Sequence, residues 1–482
     1  MNRPTMYKDR HVVVLGMARS GVSVAKLLHQ LGAKVTVNDR KERAECPEAE
    51  QLEALGIVVI CGYHPDNLVH RDTALLVKNP GIPYSAPPVK EALAQGVDVV
   101  TEVEVAYWLS KAPIIGITGS NGKTTTTTMI GELLSAAGMH PVVAGNIGTP
   151  LCEAVADKSE NHWIVAELSS FQLKGTMDFR PRVALLLNIS ETHLDYHGDM
   201  ADYVASKRKL FANQRDGDTA VLNWDDPVCR SIGTELTAEI MPFSLHTRLS
   251  YGVYIEPPYD SGTGTNPEET SEPERMIVYR DERLDNGGET CIMPVAELGV
   301  PGRHNAANAL AAIAAALAAG APAAALAEPL RSFRGVEHRL EYVCERGGVR
   351  FYNDSKATNP MATTMSIGSL AAPIVLVAGG LDRGSDYMEL LPIFRDRLRG
   401  LVALGETRDK LVSVAQLAGL ERVESVQPEE DAEKTLQHAV RKAAAMAEPG
   451  DIVLLSPACA SWDMFPSYEQ RGGMFKKSAH TI

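Results

Sequence analysis

A glycine-rich loop that joins an apolar strand to a helix constrains the fold of this chain most. The loop reads Gly119-Ser120-Asn121-Gly122-Lys123-Thr124-Thr125. The apolar residues 113–117 before it predict a buried strand, and residues 129–134 after it predict a helix that ends near Gly138. Glycines let backbone amides converge on phosphate oxygens, and a helix N-terminus favours an anion. The arrangement therefore predicts a loop that binds ATP or GTP.

Two side chains of the loop support phosphate binding, although the glycine spacing is unusual. Lys123 would reach the outer phosphates, and the hydroxyl of Thr124 would bind Mg²⁺. Fewer residues separate Gly119 from Gly122 than in the usual P-loop, so a glycine turn that caps an ordinary helix is the alternative. Threonines fill positions 124–128, and because β-branched residues are mediocre helix formers, this run favours a functional role.

Three segments can be distinguished along the 482 residues. Residues 1–108 open with a Rossmann-type pattern, residues 109–334 contain the phosphate loop, and residues 335–482 contain further buried strands. The predicted fold is α/β with three domains, each built on a mostly parallel sheet: Rossmann-like, P-loop-type and Rossmann-like in turn. The apolar runs that are typical of strands buried on both faces are 163–166, 183–187, 374–378 and 452–455.

The first glycine turn is close to a dinucleotide fingerprint but lacks one glycine. Residues 16–21 read Gly-Met-Ala-Arg-Ser-Gly, so Ala18 occupies the position of the middle glycine. Asp39 ends the second strand, where an acidic residue would bind a ribose. An NAD-dependent oxidoreductase is an alternative that rests on this incomplete motif, and a Rossmann-like turn without NAD is favoured.

Composition and charge exclude several classes of protein. The formal net charge of −14 argues against a general nucleic-acid or anionic-membrane binder. The seven cysteines are scattered without a CxxC pair, which predicts a reducing cytoplasm with neither disulfides nor a zinc site. Residues 1–10 do not resemble a signal peptide, and the alanine-rich residues 309–327 predict a packed helix rather than a membrane span. Residues 256–274 predict an exposed loop without catalytic residues.

Polar residues follow several predicted strands, at the sheet edge where parallel sheets carry their sites. Glu167 follows the strand at 163–166, and residues 188–193 follow the next strand. Glu167 could bind Mg²⁺, because this ion takes one or two carboxylates and keeps waters; a solvated side chain is the alternative. Further along, Asn359 and Pro360 predict the cap and first residue of a helix.

In their order along the chain, these clusters make the sequence similar to the Mur ligases of peptidoglycan synthesis. The resemblance covers nearly the whole chain apart from the 256–274 loop. The motifs that carry it are 119–125, 167–173, 188–195, 302–305, 338–339, 353–359 and 454–461. Residues 380–384 and the Ser-Ser-Phe-Gln-Leu run at 169–173 point to the family member that adds D-glutamate.

The resemblance implies an ATP-dependent ligase that adds D-glutamate to UDP-N-acetylmuramoyl-L-alanine. The substrate carboxylate would attack the γ-phosphate to form an acyl phosphate, and the amine of D-glutamate would then displace phosphate. The resemblance also implies two Mg²⁺ ions. The ligands that it implies are Thr124, Glu167, His193 and Lys207, the last as a carbamate. The catalytic residues that it implies are Lys123, Glu167, His193, Lys207 and Lys356.

The resemblance assigns the other site residues by substrate. ATP would contact Gly119, Ser120, Asn121, Gly122, Lys123, Thr124, Thr125, Asn305, His338, Arg339 and Asp354. The UDP-sugar would contact Ala18, Arg19, Ser20, Asp39, Arg40, Gly81, Asn146 and His193. D-Glutamate would contact Thr358, Arg383, Ser461 and Tyr468. Family members often have Phe in place of Tyr468, and some have Lys in place of Arg383, although an arginine can bind a carboxylate through two hydrogen bonds.

Without the resemblance, several of these residues would be given ordinary structural roles. His193 is not a typical Mg²⁺ ligand and would make local hydrogen bonds in a loop. Lys207 lies in a predicted helix over 203–209 and would ordinarily be on a solvated face, as would Lys209. Another amino-acid-adding Mur ligase and a non-ligating NTPase switch remain alternative functions. We expect a cytoplasmic monomer without a membrane span or a nucleic-acid partner.

Overall fold

Mostly parallel sheets form the framework of the chain, as the apolar runs predict. The computed structural model describes residues 6–192, 194–260, 274–283, 288–300, 302–370 and 372–482. The chain divides into two compact units, Met1–Phe333 and Arg334–Ile482. The first unit contains two sheets and the second unit contains one. Each sheet lies within one of the three predicted segments, while the boundaries at 108 and 334 stay predictions.

The described strands of the first sheet are all parallel. They are β1 (His11–Leu15), β2 (Lys34–Asp39), β3 (Val58–Cys61), β4 (Thr73–Lys78) and β5 (Val99–Val100). The accompanying helices are α1 (Arg19–Gln30), α2 (Glu48–Ala54), α3 (Pro87–Ala94) and α4 (Glu102–Leu109). The strand order is β3-β2-β1-β4-β5, so the direction of winding reverses between β1 and β4. Open α/β sheets bind ligands at such a switch point, and the loop after β1 lies there.

The second sheet places the phosphate loop after a central strand. Its strands are β6 (Ile114–Thr118), β7 (Pro141–Gly145), β8 (Trp163–Glu167), β9 (Val183–Leu186), β10 (Thr219–Asn223), β11 (Glu239–Ser244), β12 (Tyr251–Glu256), β13 (Met276–Asp281) and β14 (Glu289–Pro294). The strand order is β14-β13-β12-β11-β10-β9-β6-β8-β7. Only the pairs of β13 with β12 and with β14 are antiparallel among the described strands. The phosphate loop therefore has the ends of β8 and β9 on either side.

Eight α-helices accompany the second sheet in the part of the chain that the structure describes. They are α5 (Lys123–Ala136), α6 (Leu151–Val155), α7 (Ser170–Lys174), α8 (Leu194–His197), α9 (Met200–Arg208), α10 (Pro227–Gly233), α11 (Arg303–Ala318) and α12 (Ala327–Ser332). The predicted alanine-rich helix is α11, and most of its alanines are buried. No helix within the described ranges is both long and apolar enough to cross a membrane.

The sheet of the second unit is parallel except at one edge. Its strands are β15 (Glu341–Arg346), β16 (Val349–Asn353), β17 (Ile374–Ala378), β18 (Leu398–Ala403), β19 (Arg422–Ser425) and β20 (Ile452–Leu455). Its helices are α13 (Pro360–Ser369), α14 (Leu391–Arg397), α15 (Arg408–Leu417), α16 (Ala432–Met446) and α17 (Tyr468–His480). The order is β15-β16-β20-β17-β18-β19, with β15 antiparallel to β16. The predicted cap of α13 is confirmed, since the side chain of Asn359 accepts from the amide of Ala362 at 2.9 Å.

Helix α5 begins earlier than the sequence predicts. It starts at Lys123 rather than near Met129, so the threonine run lies within its first turns. The hydroxyl of Thr126 donates to Oδ1 of Asn308 on α11 at 3.3 Å, and that of Thr128 donates to the carbonyl of Thr124 at 2.9 Å. These hydroxyls have partners inside the packed structure, which offsets the low helix propensity of threonine.

Asp226 joins the cap of helix α10 to the loop that follows β9. Its Oδ1 accepts from the amides of Val228 at 2.9 Å and Cys229 at 3.0 Å, and its Oδ2 accepts from the amide of Ile189 at 2.9 Å. One carboxylate thus fixes both a helix start and the loop that lies against the phosphate loop.

We predict that Asp226→Ala lowers the free energy of unfolding by about 2 kcal/mol, because it removes a helix cap and the bond to Ile189. Asp199→Ala is the matched control, since Asp199 caps α9 through the amide of Asp202. Loss of that cap should cost only about 1 kcal/mol. Urea unfolding of both variants measures the difference, and equal losses would show that the bond to Ile189 contributes nothing.

Candidate active site

The glycine loop lies between β6 and α5, as predicted. Gly122 precedes the helix with a φ of +82°, a left-handed conformation that glycine adopts without steric cost. The N-cap residue is a glycine without a capping side chain, and the N-terminus of the helix favours an anion. Nζ of Lys123 donates to the carbonyls of Gly119 at 2.8 Å and Ser120 at 2.9 Å. The lysine amine therefore lies against the loop that would hold the phosphates.

The loop after β9 is bonded to the phosphate loop along its length. The amide of Ser120 donates to the carbonyl of Asn188 at 3.0 Å, and the amide of Asn121 donates to Oδ1 of Asn188 at 2.9 Å. The amide of Ser190 donates in turn to the hydroxyl of Ser120 at 2.8 Å. These bonds fix the position of the polar residues that precede His193, which itself lies outside the described residues.

Glu167 is a buried carboxylate with one unsatisfied oxygen. It ends β8, is 2% exposed, and accepts through Oε1 from Nδ2 of Asn146 at 2.9 Å. Its Oε2 is buried without a hydrogen-bond partner in the described part of the chain. A solvated side chain, the alternative from sequence, is therefore wrong. Because an unpaired buried carboxylate oxygen is costly, this atom is suited to a bound cation.

Lys207 is buried beside the phosphate loop. It is 1% exposed, and its Nζ donates to the carbonyl of Gly119 at 2.8 Å and to the hydroxyl of Thr118 at 3.2 Å. Burial, with a smaller contribution from Lys123, lowers the pKa of its amine well below the ordinary value. The prediction from residue type that Lys207 lies on a solvated face is therefore wrong. Nζ of Lys209 instead donates to the carbonyls of Lys174 and Thr176, at 2.8 and 2.9 Å.

These side chains fit a magnesium site of few protein ligands. Across the described ranges, no cluster of three or more His, Cys, Asp or Glu side chains could hold a metal. Mg²⁺ does not need such a cluster, because it is usually bound through one or two carboxylates and keeps several waters. The buried Thr124, at the start of α5, and the unpaired oxygen of Glu167 are the donors that the structure offers near the glycine loop. Their role as ligands stays a prediction.

Most of the residues predicted to contact the sugar nucleotide lie in the loop after β1 or beside it, whereas Asn146 follows β7 of the second sheet. Oδ2 of Asp39 accepts from the amide of Met17 at 2.8 Å, which fixes the glycine turn before Ala18. The hydroxyl of Ser20 donates to Oδ1 of Asn79 at 3.2 Å. Ala18, Arg19 and Arg40 are exposed, and so is Gly81 in the turn that follows β4. An open polar rim over a fixed turn is what a mononucleotide needs.

In the second unit, three residues assigned to ATP lie around the end of β16. Asp354 is buried and accepts from the hydroxyl of Ser456 at 2.8 Å and from the amide of Leu340 at 3.2 Å. Burial raises the pKa of its carboxyl to about 6. Arg339 acts electrostatically on Asp354, and Nδ1 of His338 contacts Nδ2 of Asn353 at 2.9 Å. Asn305, the remaining residue assigned to ATP outside the glycine loop, lies in the first unit at the start of α11.

The residues assigned to D-glutamate also lie in the second unit. Nζ of Lys356 lies over the ring of Tyr468, 5.9 Å from its centroid. The guanidinium of Arg383 lies over the ring of Trp462, 5.1 Å from its centroid. Ser461, next to Trp462, is buried. Thr358 lies in the same loop as Lys356, which follows β16. Arg383 follows β17, and Ser461 follows β20. The cationic and hydroxyl groups therefore come from the loops after these three strands.

Sequence reasoning missed Arg471, a buried arginine of α17. Its Nε donates to the hydroxyl of Ser355 at 3.0 Å, and its Nη2 donates to the carbonyls of Ser355 at 2.9 Å and Cys459 at 3.2 Å. It thereby joins the loops that follow β16 and β20. The available signal was its spacing: Arg471 is one helical turn after Tyr468, which places both on one side of α17.

Three family models match consecutive parts of the chain. A Mur ligase MurD-like N-terminal domain matches residues 10–101, and a Mur ligase middle domain matches residues 117–316. A Mur ligase glutamate ligase domain matches residues 338–459. Each match contains one of the three sheets or most of it.

Curated relatives match the full length of the chain. It is 46% identical over 482 residues to UDP-N-acetylmuramoylalanine--D-glutamate ligase of Geobacillus kaustophilus, covering all of both chains. It is 45% identical over 473 residues to the protein of the same name from Shouchella clausii, covering 98% of this chain and 97% of that one.

Solved structures of lower identity share the fold. UDP-N-acetylmuramate-alanine ligase MurC from Thermotoga maritima is 19% identical with a TM-score of 0.56, covering 98% of this chain and 99% of that one. MurF from Acinetobacter baumannii is 19% identical with a TM-score of 0.55, covering 88% and 87% respectively.

The glycine before α5 can be tested against a second left-handed glycine after the same helix. A Cβ at Gly122 would lie 2.3 Å from Oδ1 of Asn308, whereas a Cβ at Gly138, with a φ of +72°, meets nothing within 4 Å. Both alanine variants should lose about 1–2 kcal/mol of stability from backbone strain. Only Gly122→Ala should also lose affinity for a non-hydrolysable ATP analogue, by at least about tenfold in calorimetry. Unchanged affinity in Gly122→Ala would contradict the assigned role of the loop.

Proposed function

The chain belongs to the Mur ligase family, and we propose that it joins D-glutamate to UDP-N-acetylmuramoyl-L-alanine with cleavage of ATP. The observation that carries this proposal is 46% identity over the full length to a ligase named for that reaction. The substrate carboxylate attacks the γ-phosphorus, which forms an acyl phosphate and releases ADP. The amine of D-glutamate then attacks the acyl carbon, so that an amide forms while phosphate and a proton leave.

The glycine loop and its lysine hold the triphosphate in this proposal. Phosphoryl transfer requires mainly positioning and neutralisation of charge. The N-terminus of α5, which begins after Gly122, suits the phosphate oxygens, and Lys123 supplies a positive charge beside Gly119 and Ser120. When ATP binds, the phosphates would replace those carbonyls as the acceptors of the lysine.

Glu167, Thr124 and a carbamate on Lys207 would hold magnesium. Bound Mg²⁺ would neutralise charge on the transferred phosphate. Two geometric observations support the site: Oε2 of Glu167 is buried without a partner among the described residues, and the amine of Lys207 is buried against Gly119. Carbamylation converts a cation into an anionic oxygen donor, which a hard cation prefers. Two ions, and a part for His193, stay predictions.

The second unit is proposed to supply the groups that bind D-glutamate, together with further contacts to ATP. A dicarboxylate needs positive side chains and hydroxyls, and Lys356, Arg383, Ser461 and Thr358 supply them. Contact with the ring of Trp462 restrains the guanidinium of Arg383, whose donors can bind a carboxylate through two hydrogen bonds. Arg383 can therefore bind a carboxylate at the position where some members of the family have lysine.

The loop after β1 is proposed to bind the uridine diphosphate. Its rim is polar and exposed, and Asn146 connects Glu167 with the sugar side. All seven cysteines are free, which supports a reducing compartment such as the cytoplasm. A monomeric state stays a prediction.

Substrate dependence of phosphate release tests the function. In a coupled phosphate assay, release should require UDP-N-acetylmuramoyl-L-alanine and D-glutamate together, because the acyl phosphate is consumed only by the amine. Replacement of D-glutamate by L-alanine or a diamino acid should reduce release to background. Equal release with either substrate omitted would indicate an NTPase, and preference for another amino acid would indicate a different member of the family.

The carbamate on Lys207 can be tested apart from turnover. With ¹³C-labelled bicarbonate, the wild-type protein should give a carbamate carbon signal in NMR that Lys207→Arg lacks. Lys209→Arg is the control, because its amine bonds carbonyls away from the glycine loop and should leave the signal unchanged. Lys207→Arg should also lose about a hundredfold or more in kcat, as expected when a metal ligand is removed. A signal that persists in Lys207→Arg would place the modification elsewhere.

A further inference from the structure

Lys78 is a buried lysine to which neither the family resemblance nor the proposed site assigns a role. It ends β4 and is 1% exposed, whereas lysine is almost never fully buried unless its charge has partners. Burial, with repulsion from Lys174 as a smaller cause, lowers the pKa of its amine to about 7. Retaining such a side chain costs stability, so its contacts should show what it does.

The amine of Lys78 bonds the turn that follows its own strand. Nζ donates to the carbonyls of Ile82 at 2.9 Å, Pro80 at 3.1 Å and Asn79 at 3.4 Å. These three acceptors belong to one turn, and they converge on a single ammonium group with three protons. The amine therefore joins three carbonyls within residues 79–82.

That turn forms one wall of the proposed sugar-nucleotide site. The backbone amide of Asn79 donates to the carbonyl of Leu15 at 2.9 Å, and Oδ1 of the Asn79 side chain accepts from the hydroxyl of Ser20 at 3.2 Å. A Cβ at Gly16 would lie 2.6 Å from Nδ2 of Asn79, so the turn packs directly on the glycine loop after β1. Displacement of the turn would therefore change the loop that faces the diphosphate.

Tyr196 connects the same turn to the central sheet. Its hydroxyl donates to the carbonyl of Pro80 at 3.1 Å and lies 3.4 Å from Nζ of Lys78. Tyr196 belongs to α8, which follows the loop bonded to Ser120 and Asn121. Its ring packs edge-on against Phe171, with centroids 4.5 Å apart. From Tyr196, ring contacts continue to His197 with centroids 5.0 Å apart and on to Tyr203 at 5.4 Å, and the Tyr203 hydroxyl lies 2.9 Å from that of Ser120. A continuous set of contacts thus runs from the turn after β4 to the phosphate loop.

We propose that Lys78 and Tyr196 are a positioning pair that holds the 79–82 turn for the UDP-sugar and connects that site with the segment beside the phosphate loop. Neither side chain is assigned contact with the reacting atoms. This inference rests on the proposed function, since it takes the loop after β1 as the sugar-nucleotide site.

Kinetics of Lys78→Met and Tyr196→Phe test the pair. Methionine keeps the unbranched stem but removes the charge and the donors. The KM for UDP-N-acetylmuramoyl-L-alanine should rise about tenfold in Lys78→Met and about threefold in Tyr196→Phe. The KM for D-glutamate should stay within about twofold, because that substrate is assigned to the other unit. The double variant should lose less than the product of the two single effects.

Lys209→Met is the matched control, because Lys209 also donates to two backbone carbonyls, which belong to Lys174 and Thr176 rather than to the 79–82 turn. It should lower the melting temperature without raising the KM for the UDP-sugar. If Lys78→Met behaves like Lys209→Met, Lys78 only stabilises the fold and the proposal is wrong. Should Lys78→Met not fold, Tyr196→Phe decides: an unchanged KM for the UDP-sugar overturns the proposal.

Calorimetry with uridine diphosphate separates this inference from the proposed function. If the wild-type protein releases no phosphate with both substrates, the proposed function fails. The affinity for uridine diphosphate must still fall in Lys78→Met and Tyr196→Phe if the pair positions that site. Equal affinity in the wild type and both variants overturns the positioning role whether or not the protein ligates.

Discussion

The phosphate loop depends on the close approach of helices α5 and α11. Oδ1 of Asn308 would lie only 2.3 Å from a Cβ at Gly122, and the same oxygen accepts from Thr126. The alanine-rich surface of α11 allows this approach, because short side chains keep the helix backbones near each other. The glycine therefore serves packing and backbone conformation at once.

Around this loop, the structure buries two ionisable side chains, Glu167 and Lys207, that make few hydrogen bonds. Oε2 of Glu167 has no hydrogen bond within the described residues, and the amine of Lys207 has a carbonyl and a hydroxyl as acceptors. Each arrangement costs stability in the isolated chain. A cation between a carboxylate and a carbamate would remove both costs together. The proposed magnesium site would account for both buried groups at once, and Glu167 already acts electrostatically on Lys207.

The sequence predicted the sheets well, because a strand buried on both faces is apolar along its whole length. The runs before Glu167 and Asn188, and the cap at Asn359, appear in the structure as predicted. The start of α5 lies earlier than predicted. The helix propensity of threonine is a local property, whereas the bond from Thr126 to Asn308 joins residues that are far apart in the chain. Arg471 was missed for the same reason: its acceptors on Ser355 and Cys459 lie outside its own helix.

Lysines illustrate most clearly what the residue type leaves undetermined. Sequence statistics assign Lys78, Lys207 and Lys209 alike to a solvated surface, yet two are 1% exposed and the third bonds carbonyls. Their amines differ in the acceptors that surround them: three carbonyls of one turn for Lys78, and a loop carbonyl with a hydroxyl for Lys207. Burial lowers the pKa of both the Lys78 and the Lys207 amine, so the two differ in what they contact rather than in how they are buried. The folded chain rather than the residue type thus defines the surroundings of a buried lysine: the 79–82 turn for Lys78 and the phosphate loop for Lys207.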